Sequence, residues 1–201
     1  MLKDGILMLV ILNPFAQMLY LSDLMNDVPS RQFRKIFVSA TLLTTGICIL
    51  FAGIGEYLLY EVFQVSLPAM RIFGGLIIFS VAYSYIIRGP EGLRLFKGDV
   101  SEIAQQITLP LMVGPGIIWI SIKIGKSYIL TYSSVIIFMV MFINCIFVLF
   151  YQLFLKKAKG PVEIAIIKYF AIAMRLNALM IGAVSVDMVL SGIAEYNNMV
   201  N

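Results

Sequence analysis

The chain has 201 residues, of which 61% are hydrophobic and only 13% are charged. A soluble domain carries about 25% charged residues, so this chain lacks the polar side chains needed to cover a water-facing surface. Its formal net charge of +4 is usual for a membrane protein with basic cytoplasmic loops and gives no case for a nucleic-acid partner. The composition predicts an all-α membrane protein whose solvent is the lipid bilayer.

Six apolar stretches follow one another along the chain, each near the roughly 20 residues that a membrane-spanning helix needs. The first is expected to be a retained span and not a signal peptide, because Asn13-Pro14 interrupts the part that should be continuously apolar. The predicted stretches are 5–24, 36–60, 67–88, 103–124, 128–155 and 164–194. They predict a single transmembrane domain over residues 1–201.

Two of these stretches, the first and the fourth, carry a proline break near their centres: Asn13-Pro14-Phe15 and Gly114-Pro115-Gly116. The word Ala-Met-Arg at 69–71 also recurs at 173–175, with an offset of 104 residues against 101 for the prolines. Three spans per half would invert the second copy relative to the first. The pattern predicts six transmembrane helices in two inverted three-helix repeats, about 1–90 and 103–195, with discontinuous helices 1 and 4.

Each break exposes backbone groups at a depth where they need a partner. Pro14 is expected to leave the carbonyl of Val10 without its helical donor, and the segment 110–116 is poorly suited to continuous helix. A half-helix N-terminus attracts a carboxylate, and the opposite C-terminus attracts an ammonium group. Two facing breaks therefore predict a zwitterion site, to which Asn13 adds a midplane amide. The alternative is that both prolines are ordinary kinks that ease helix packing.

Ionisable residues inside apolar segments are costly, and they often serve a function. Asp187 and Glu56 are candidates for ion coupling, since the chain has no histidine to carry a proton. Arg71 and Arg175 are candidates for structural or gating charges, and we expect Arg71 to pair with Glu56 or Asp187. For each of the four, a structural charge near a helix end is the alternative. No metal site and no cofactor is predicted.

Basic residues collect in alternate loops, which predicts the orientation of the chain. Ten lysines and arginines follow spans one, three and five, and the positive-inside rule places them in the cytoplasm. Both termini are then expected outside, in a multi-pass protein of the cell membrane. The ten are Arg31, Arg34, Lys35, Arg88, Arg94, Lys97, Lys156, Lys157, Lys159 and Lys168.

These motifs resemble the MarC family of six-span membrane proteins, and their order and spacing cover nearly the whole chain. The matching words are 13–15, 67–75, 110–116 with its Gly-Pro-Gly, and Arg175-Leu176 leading into Gly182. The family is similar to the LysE-type exporters, and its members called SnatA resemble carriers of small neutral amino acids such as glycine and alanine. The resemblance implies that the two breaks form the substrate site. The family commonly has Gly and Pro where this chain has Ala16 and Leu19.

The sequence therefore predicts a secondary transporter of small neutral amino acids that works by alternating access, with a proton or Na⁺ as the coupling ion. No phosphate-binding loop for a nucleotide is present in the sequence. Export of another small solute and a passive channel remain alternatives. An enzyme is not predicted, because the chain lacks histidine, a Gly-x-Ser-x-Gly word and a pair of acids at helical spacing in one span. The oligomeric state is not predicted.

Overall fold

The structure is a computed structural model that describes residues 2–88, 100–157 and 161–200. Over these residues the chain forms α-helices joined by short turns and two π-helical segments, Leu58–Val62 and Ile107–Met112. The helices are α1 (Leu2–Leu12), α2 (Pro14–Tyr20), α3 (Ser22–Asp27), α4 (Ser30–Tyr57), α5 (Leu67–Arg88), α6 (Val100–Gln106), α7 (Pro115–Ser127), α8 (Leu130–Lys157) and α9 (Pro161–Val200). The all-α prediction is confirmed. The predicted repeat boundary at 90 and the basic residues Arg94, Lys97 and Lys159 lie outside the described residues.

Five segments of the described chain are long and apolar enough to cross a membrane: Leu2–Leu19, Ser30–Val62, Leu67–Ile87, Leu130–Lys157 and Ile164–Met199. The fourth predicted stretch, 103–124, is not among them, because it is divided between α6, a π-helical segment and α7. Its longest piece, α7, has 13 residues and a length of about 20 Å, against a hydrocarbon core of about 30 Å. The chain is thus a multi-pass membrane protein with five candidate spanning segments in its described part.

Helix α8 places polar side chains on its buried face and apolar side chains on its exposed face, as expected for a helix surrounded by lipid. Its buried face includes Ser133, Asn144 and Gln152, whereas Phe142 and Phe150 are more than half exposed. A soluble helix has the reverse pattern. Polar groups turn inward here because they find hydrogen-bond partners only within the protein, and aromatic rings are well solvated by lipid tails.

Glycines allow the helices to approach one another closely. A β-carbon on Gly125 of α7 would lie 1.9 Å from the carbonyl oxygen of Ala52 on α4, and one on Gly75 of α5 would lie 2.8 Å from the carbonyl oxygen of Ser185 on α9. Backbones can come this near only where no side chain intervenes. The pairs α4–α7 and α5–α9 are therefore held at short range, and they fix the positions of the elements around both breaks.

The charged side chains of the described residues divide between two ends of the bundle. Lys156 Nζ at the end of α8 donates to the carbonyl oxygen of Val28 at 2.8 Å, beside the start of α4. This is the basic end, which also holds Arg31, Arg34, Lys35 and Lys157. Asp4 of α1 and Lys123 of α7 pair at the opposite, N-terminal end. The grouping of loop charges agrees with the alternation that the sequence predicts, and it does not itself say which end faces the cytoplasm.

Candidate functional site

The first break is a single residue in a left-handed conformation. Asn13 has φ 50° and ψ 71°, and it separates α1 from α2. Its Oδ1 accepts a hydrogen bond from the amide of Ala16 at 3.1 Å, so Asn13 caps the second half-helix. Asparagine is among the few residues that tolerate this conformation, and it is also a favoured N-cap. Pro14 then occupies the first helical position, where a missing N–H does no harm.

The carbonyls that end α1 find partners within the protein. The amide of Asn13 donates to the carbonyl oxygens of both Leu9 and Val10 at 3.2 Å, so the prediction that Val10 loses its donor is wrong. The tighter last turn supplies a donor from three residues ahead where the proline cannot supply one. Gln17 Nε2 satisfies the carbonyl of Leu12 at 2.8 Å.

Two further buried side-chain amides, those of Gln17 and Asn144, support this arrangement. Asn144 Nδ2 of α8 donates to Gln17 Oε1 at 3.0 Å, and both side chains are fully buried. This contact ties the first break to α8. Each such bond lies in a low-dielectric interior, where a satisfied polar network helps to specify one packing arrangement.

The second break is built differently. The chain runs from the π-helical segment Ile107–Met112 through Val113 and Gly114 into α7. The amide of Val113 donates to the carbonyl oxygen of Thr108 at 2.8 Å, five residues back, as in a π-helical turn. The helix is interrupted within 110–116 as predicted, but only Val113 and Gly114 are non-helical. The wider turn keeps most of the segment bonded.

The two breaks lie close together. A β-carbon built on Gly116 would be 3.4 Å from Ile11 Cγ2 of α1 and would collide with Ile78 of α5 at 2.1 Å. One built on Gly74 of α5 would be 3.5 Å from the carbonyl group of Pro115. Ile11 is two residues before Asn13. The second break is therefore packed between α1 and α5, directly beside the chain that forms the first break.

Space and unpaired polar atoms remain around the breaks. A β-carbon built on Gly114 would meet no atom of the described residues within 4 Å. Asn13 is only 3% exposed, yet its Nδ2 has no hydrogen-bond partner among the described residues, and the same holds for Asn144 Oδ1. An unpaired buried amide costs about 1–3 kcal/mol. The first break thus carries an unpaired donor, its neighbour Asn144 carries an unpaired acceptor, and the second break has open space beside Gly114.

A charged cavity of about 320 Å³ lies at the N-terminal end, between α1, α5, α7 and α9. Its walls include Leu7, Arg71, Trp119, Lys123, Asp187 and Met188. Arg71 forms an ion pair with Glu195, and its Nη2 lies 4.0 Å from Asp187 Oδ2. The predicted proximity of Arg71 and Asp187 is thus observed.

The other predicted charges lie elsewhere. Glu56 contacts Lys126 Nζ at 2.6 Å and is not paired with Arg71. Arg175 is exposed on α9, 12 residues and about 18 Å from Asp187. Asp4 accepts hydrogen bonds from Lys123 at 3.0 Å and from Tyr128 at 2.8 Å. The bond to the Asp4 carboxylate raises the pKa of the Tyr128 phenol, which lies between α7 and α8.

The structure groups some predicted residues and adds others. Gly116 of the second break packs near Ile11, two residues before Asn13, whereas Glu56 is paired with Lys126 and Arg175 is exposed on α9. Gln17, Trp119 and Lys123 were not predicted as site residues from the sequence. Gln17 had a readable signal, because a polar residue one turn after Asn13 inside an apolar stretch needs a partner. Trp119 had none, since only tertiary packing places its ring beside two cations.

Comparisons with known proteins identify the family of the chain. A family model described as MarC family integral membrane protein matches residues 1–197. The chain belongs to the MarC family. Similar MarC-type relatives, each named a UPF0056 membrane protein, come from distant organisms. That of Pyrococcus horikoshii is 24% identical over 90% of this chain and 92% of its own length. YvbG of Bacillus subtilis is 24% identical over 90% and 88% of the two chains, and that of Aquifex aeolicus is 25% identical over 95% and 91%.

The MarC match includes the residues of both breaks and of the charged cavity. No solved structure gives a significant match to the chain. The names of the relatives describe membrane proteins and state no substrate.

Proposed function

We propose that this MarC protein is a secondary transporter of small neutral amino acids, of the glycine and alanine class, that works by alternating access. The observation that carries the proposal is the close approach of two helix breaks, where Gly116 packs near Ile11, two residues before Asn13. Non-helical backbone at membrane depth is tolerated only against protein or a water-filled cavity. The space beside Gly114 and the unpaired amide of Asn13 provide a place and a donor for a small polar solute.

The substrate class follows from the groups around the breaks. The half-helices α2 and α7 both begin at a proline, so their N-termini present positive dipole ends that favour a carboxylate. Asn144 Oδ1 offers an acceptor for an ammonium group. Little room is left for a side chain, because Ile11 and Ile78 already pack on Gly116. A zwitterion with a small apolar side chain suits these groups best.

The proposed architecture has six spans in two inverted repeats, with α6 and α7 together forming the fourth. The packing supports this exchange symmetry. The third span, α5, packs on the sixth, α9; the second, α4, packs on the broken fourth, and the fifth, α8, packs on the broken first. Exchanging spans one to three with four to six leaves this scheme unchanged. The two halves would rock against each other around the breaks.

Energy would come from an ion gradient, with Asp187 and Glu56 as the candidate coupling residues. Asp187 is the stronger of the two, because its carboxylate lines the charged cavity, whereas Glu56 is held by Lys126 at the rim. A proton and Na⁺ are both compatible with a carboxylate. On the positive-inside rule, the basic end faces the cytoplasm and the charged cavity faces outward.

Counterflow in proteoliposomes tests the transport proposal. Vesicles preloaded with unlabelled alanine are expected to accumulate labelled glycine and alanine transiently, with saturation, and to respond to an imposed proton or Na⁺ gradient. Absence of counterflow for every small neutral amino acid would contradict the proposal. Flux that never saturates would instead indicate the passive channel.

The open space beside Gly114 gives a prediction of its own. Gly114→Ala is expected to leave the melting temperature unchanged, since the added methyl group meets no neighbour and φ of −105° suits any residue. Counterflow should still fall, and Gly114→Leu should abolish it, because the side chain fills the space meant for substrate. Melting temperature and counterflow are measured on the same preparations. Wild-type transport by Gly114→Leu would show that substrate does not pass this point.

A further inference from the structure

We propose that the charged cavity is a second binding site, distinct from the helix breaks, that captures the carboxylate of an amino acid on Arg71 and Lys123 and its ammonium group on Asp187. The identity of the ligand rests on the proposed transport function, whereas carboxylate binding rests on the cavity alone. The volume of about 320 Å³ lies at the lower end of the range of about 300–1,000 Å³ for small-molecule sites.

Arg71 offers a free edge for a carboxylate. Its Nη1 is held by Glu195, but its Nε is buried without a partner among the described residues. Its Nη2 lies 4.0 Å from Asp187 Oδ2, which is beyond hydrogen-bond distance. The Nε–Nη2 edge is the fork that binds a carboxylate through two parallel hydrogen bonds. Glu195 fixes one side of the guanidinium and leaves this fork for another anion.

Trp119 brings a second cation to the same place. The guanidinium carbon of Arg71 lies 5.1 Å from the centroid of the Trp119 ring, and Lys123 Nζ lies 5.7 Å from it. Two cations around one buried ring repel each other unless an anion joins them. Asp4 pairs with Lys123 from the rim, and Glu195 pairs with Arg71 from the other side. A ligand carboxylate between Arg71 and Lys123 would complete this arrangement.

Asp187 supplies the opposite charge. Its side chain is 76% exposed although it lies in a spanning segment, so it faces water in the cavity and not lipid. Leu7 and Met188 form an apolar part of the wall. Cations on one side, one hydrated carboxylate and an apolar wall match the three parts of a small neutral amino acid.

The cavity lies on the N-terminal side of the breaks and does not include them. Leu7 precedes Asn13 by six residues, about 9 Å along a helix, and Trp119 follows Pro115 by four, about 6 Å. A ligand here would therefore be held before it reaches the breaks, as at an entry or exit station.

Trp119 is the only tryptophan of the chain, so it reports on this cavity directly. Protein in detergent is titrated with alanine, acetate and ethylamine while tryptophan emission is recorded. An anion that draws the two cations away from the ring changes its emission. Alanine and acetate are expected to give saturable changes, and ethylamine none. Absence of a saturable change with both alanine and acetate would overturn the proposal.

Three variants locate the response. Arg71→Gln should weaken the alanine and acetate responses by about tenfold or more, as expected for loss of a charge-assisted fork. Asn13→Gly, which alters the breaks alone, should keep both responses. Lys35→Gln, an exposed charge at the basic end, is the matched control and should also keep them. Responses that survive Arg71→Gln, or that vanish in Asn13→Gly, would overturn the proposal.

Asp187→Asn provides a test that does not depend on the folding of the Arg71 variant. Loss of the carboxylate should weaken the binding of alanine by about tenfold. Acetate should bind as tightly as before or more tightly, because a competing anion near Arg71 is gone. A purely structural ion pair predicts equal effects on both ligands, and that result would overturn the proposal. Counterflow separates the two claims: a tryptophan response without counterflow leaves the cavity as a binding site and removes the transport function.

Discussion

Asn13→Gly is expected to lower the apparent affinity for glycine and alanine in counterflow while leaving the protein folded. Glycine adopts φ 50° and ψ 71° without strain, and it is an acceptable N-cap, so the melting temperature should change little. The midplane amide is lost. Removing a hydrogen bond to a charged ligand costs about 1.5–3 kcal/mol, which is about 10- to 100-fold in apparent affinity. Saturation curves of counterflow measure this loss.

Asn13→Ala separates the two roles of the residue. It should reduce transport as much as Asn13→Gly does, but it should also destabilise the protein by about 2 kcal/mol, because alanine is strained in the left-handed region and cannot cap α2. Asn26→Ala, at an exposed position on α3, is the matched control and should change neither transport nor melting temperature. Full counterflow in Asn13→Gly would remove the first break from the substrate site.

Gly125→Ala is expected to be the most damaging single methyl addition. Its β-carbon would lie 1.9 Å from the carbonyl oxygen of Ala52 and 2.6 Å from the carbonyl carbon. Both are backbone atoms that no side-chain rotation can move, so α4 and α7 must separate. Overpacking of this kind costs about 1–3 kcal/mol, and a backbone collision belongs at the upper limit. Thermal unfolding in detergent should show a drop of several degrees in the melting temperature.

Gly46→Ala on α4 is the matched control. A β-carbon at Gly46 meets nothing within 4 Å, so alanine should be neutral or stabilising through its better helix propensity. Equal melting temperatures for Gly46→Ala and Gly125→Ala would mean that α4 and α7 are not in direct backbone contact.

Much of this architecture is readable from the chain because lipid makes hydrophobicity a strong signal. The long apolar segments of α4, α5, α8 and α9 appear in sequence as uninterrupted runs. The breaks at Pro14 and Pro115 are also readable, since a proline at lipid depth removes a donor that no water replaces. The boundaries are less readable: α9 begins at Pro161 and ends at Val200, beyond the predicted 164–194, because its exposed ends add polar residues at no cost.

The partners within the site could not be read from the sequence. Arg71 was expected to pair with Glu56 or Asp187, and of the two it is Asp187 that lies near it. The pairing of carboxylates with cations depends on how each helix is rotated about its axis. The orientation of α4 places Glu56 beside Lys126 and not beside Arg71. The left-handed conformation of Asn13 and the π-helical turn before Gly114 could not be predicted either. Both compensate for a backbone donor that proline removes, and the surrounding packing decides which local conformation does so.

The divided fourth stretch also bears on how the protein is made. Insertion into a bilayer is driven by continuous apolar segments, and α6, the π-helical segment and α7 do not form one. In the proposed topology, the hydrophobicity of this stretch is not sufficient to insert it into the bilayer. Its insertion would require that α4 and α5 are already in place, because the backbone of Pro115 packs against Gly74 of α5. The second half of the chain would thus insert and fold against the first half. The order in which the two halves are synthesised would therefore help to determine the final fold.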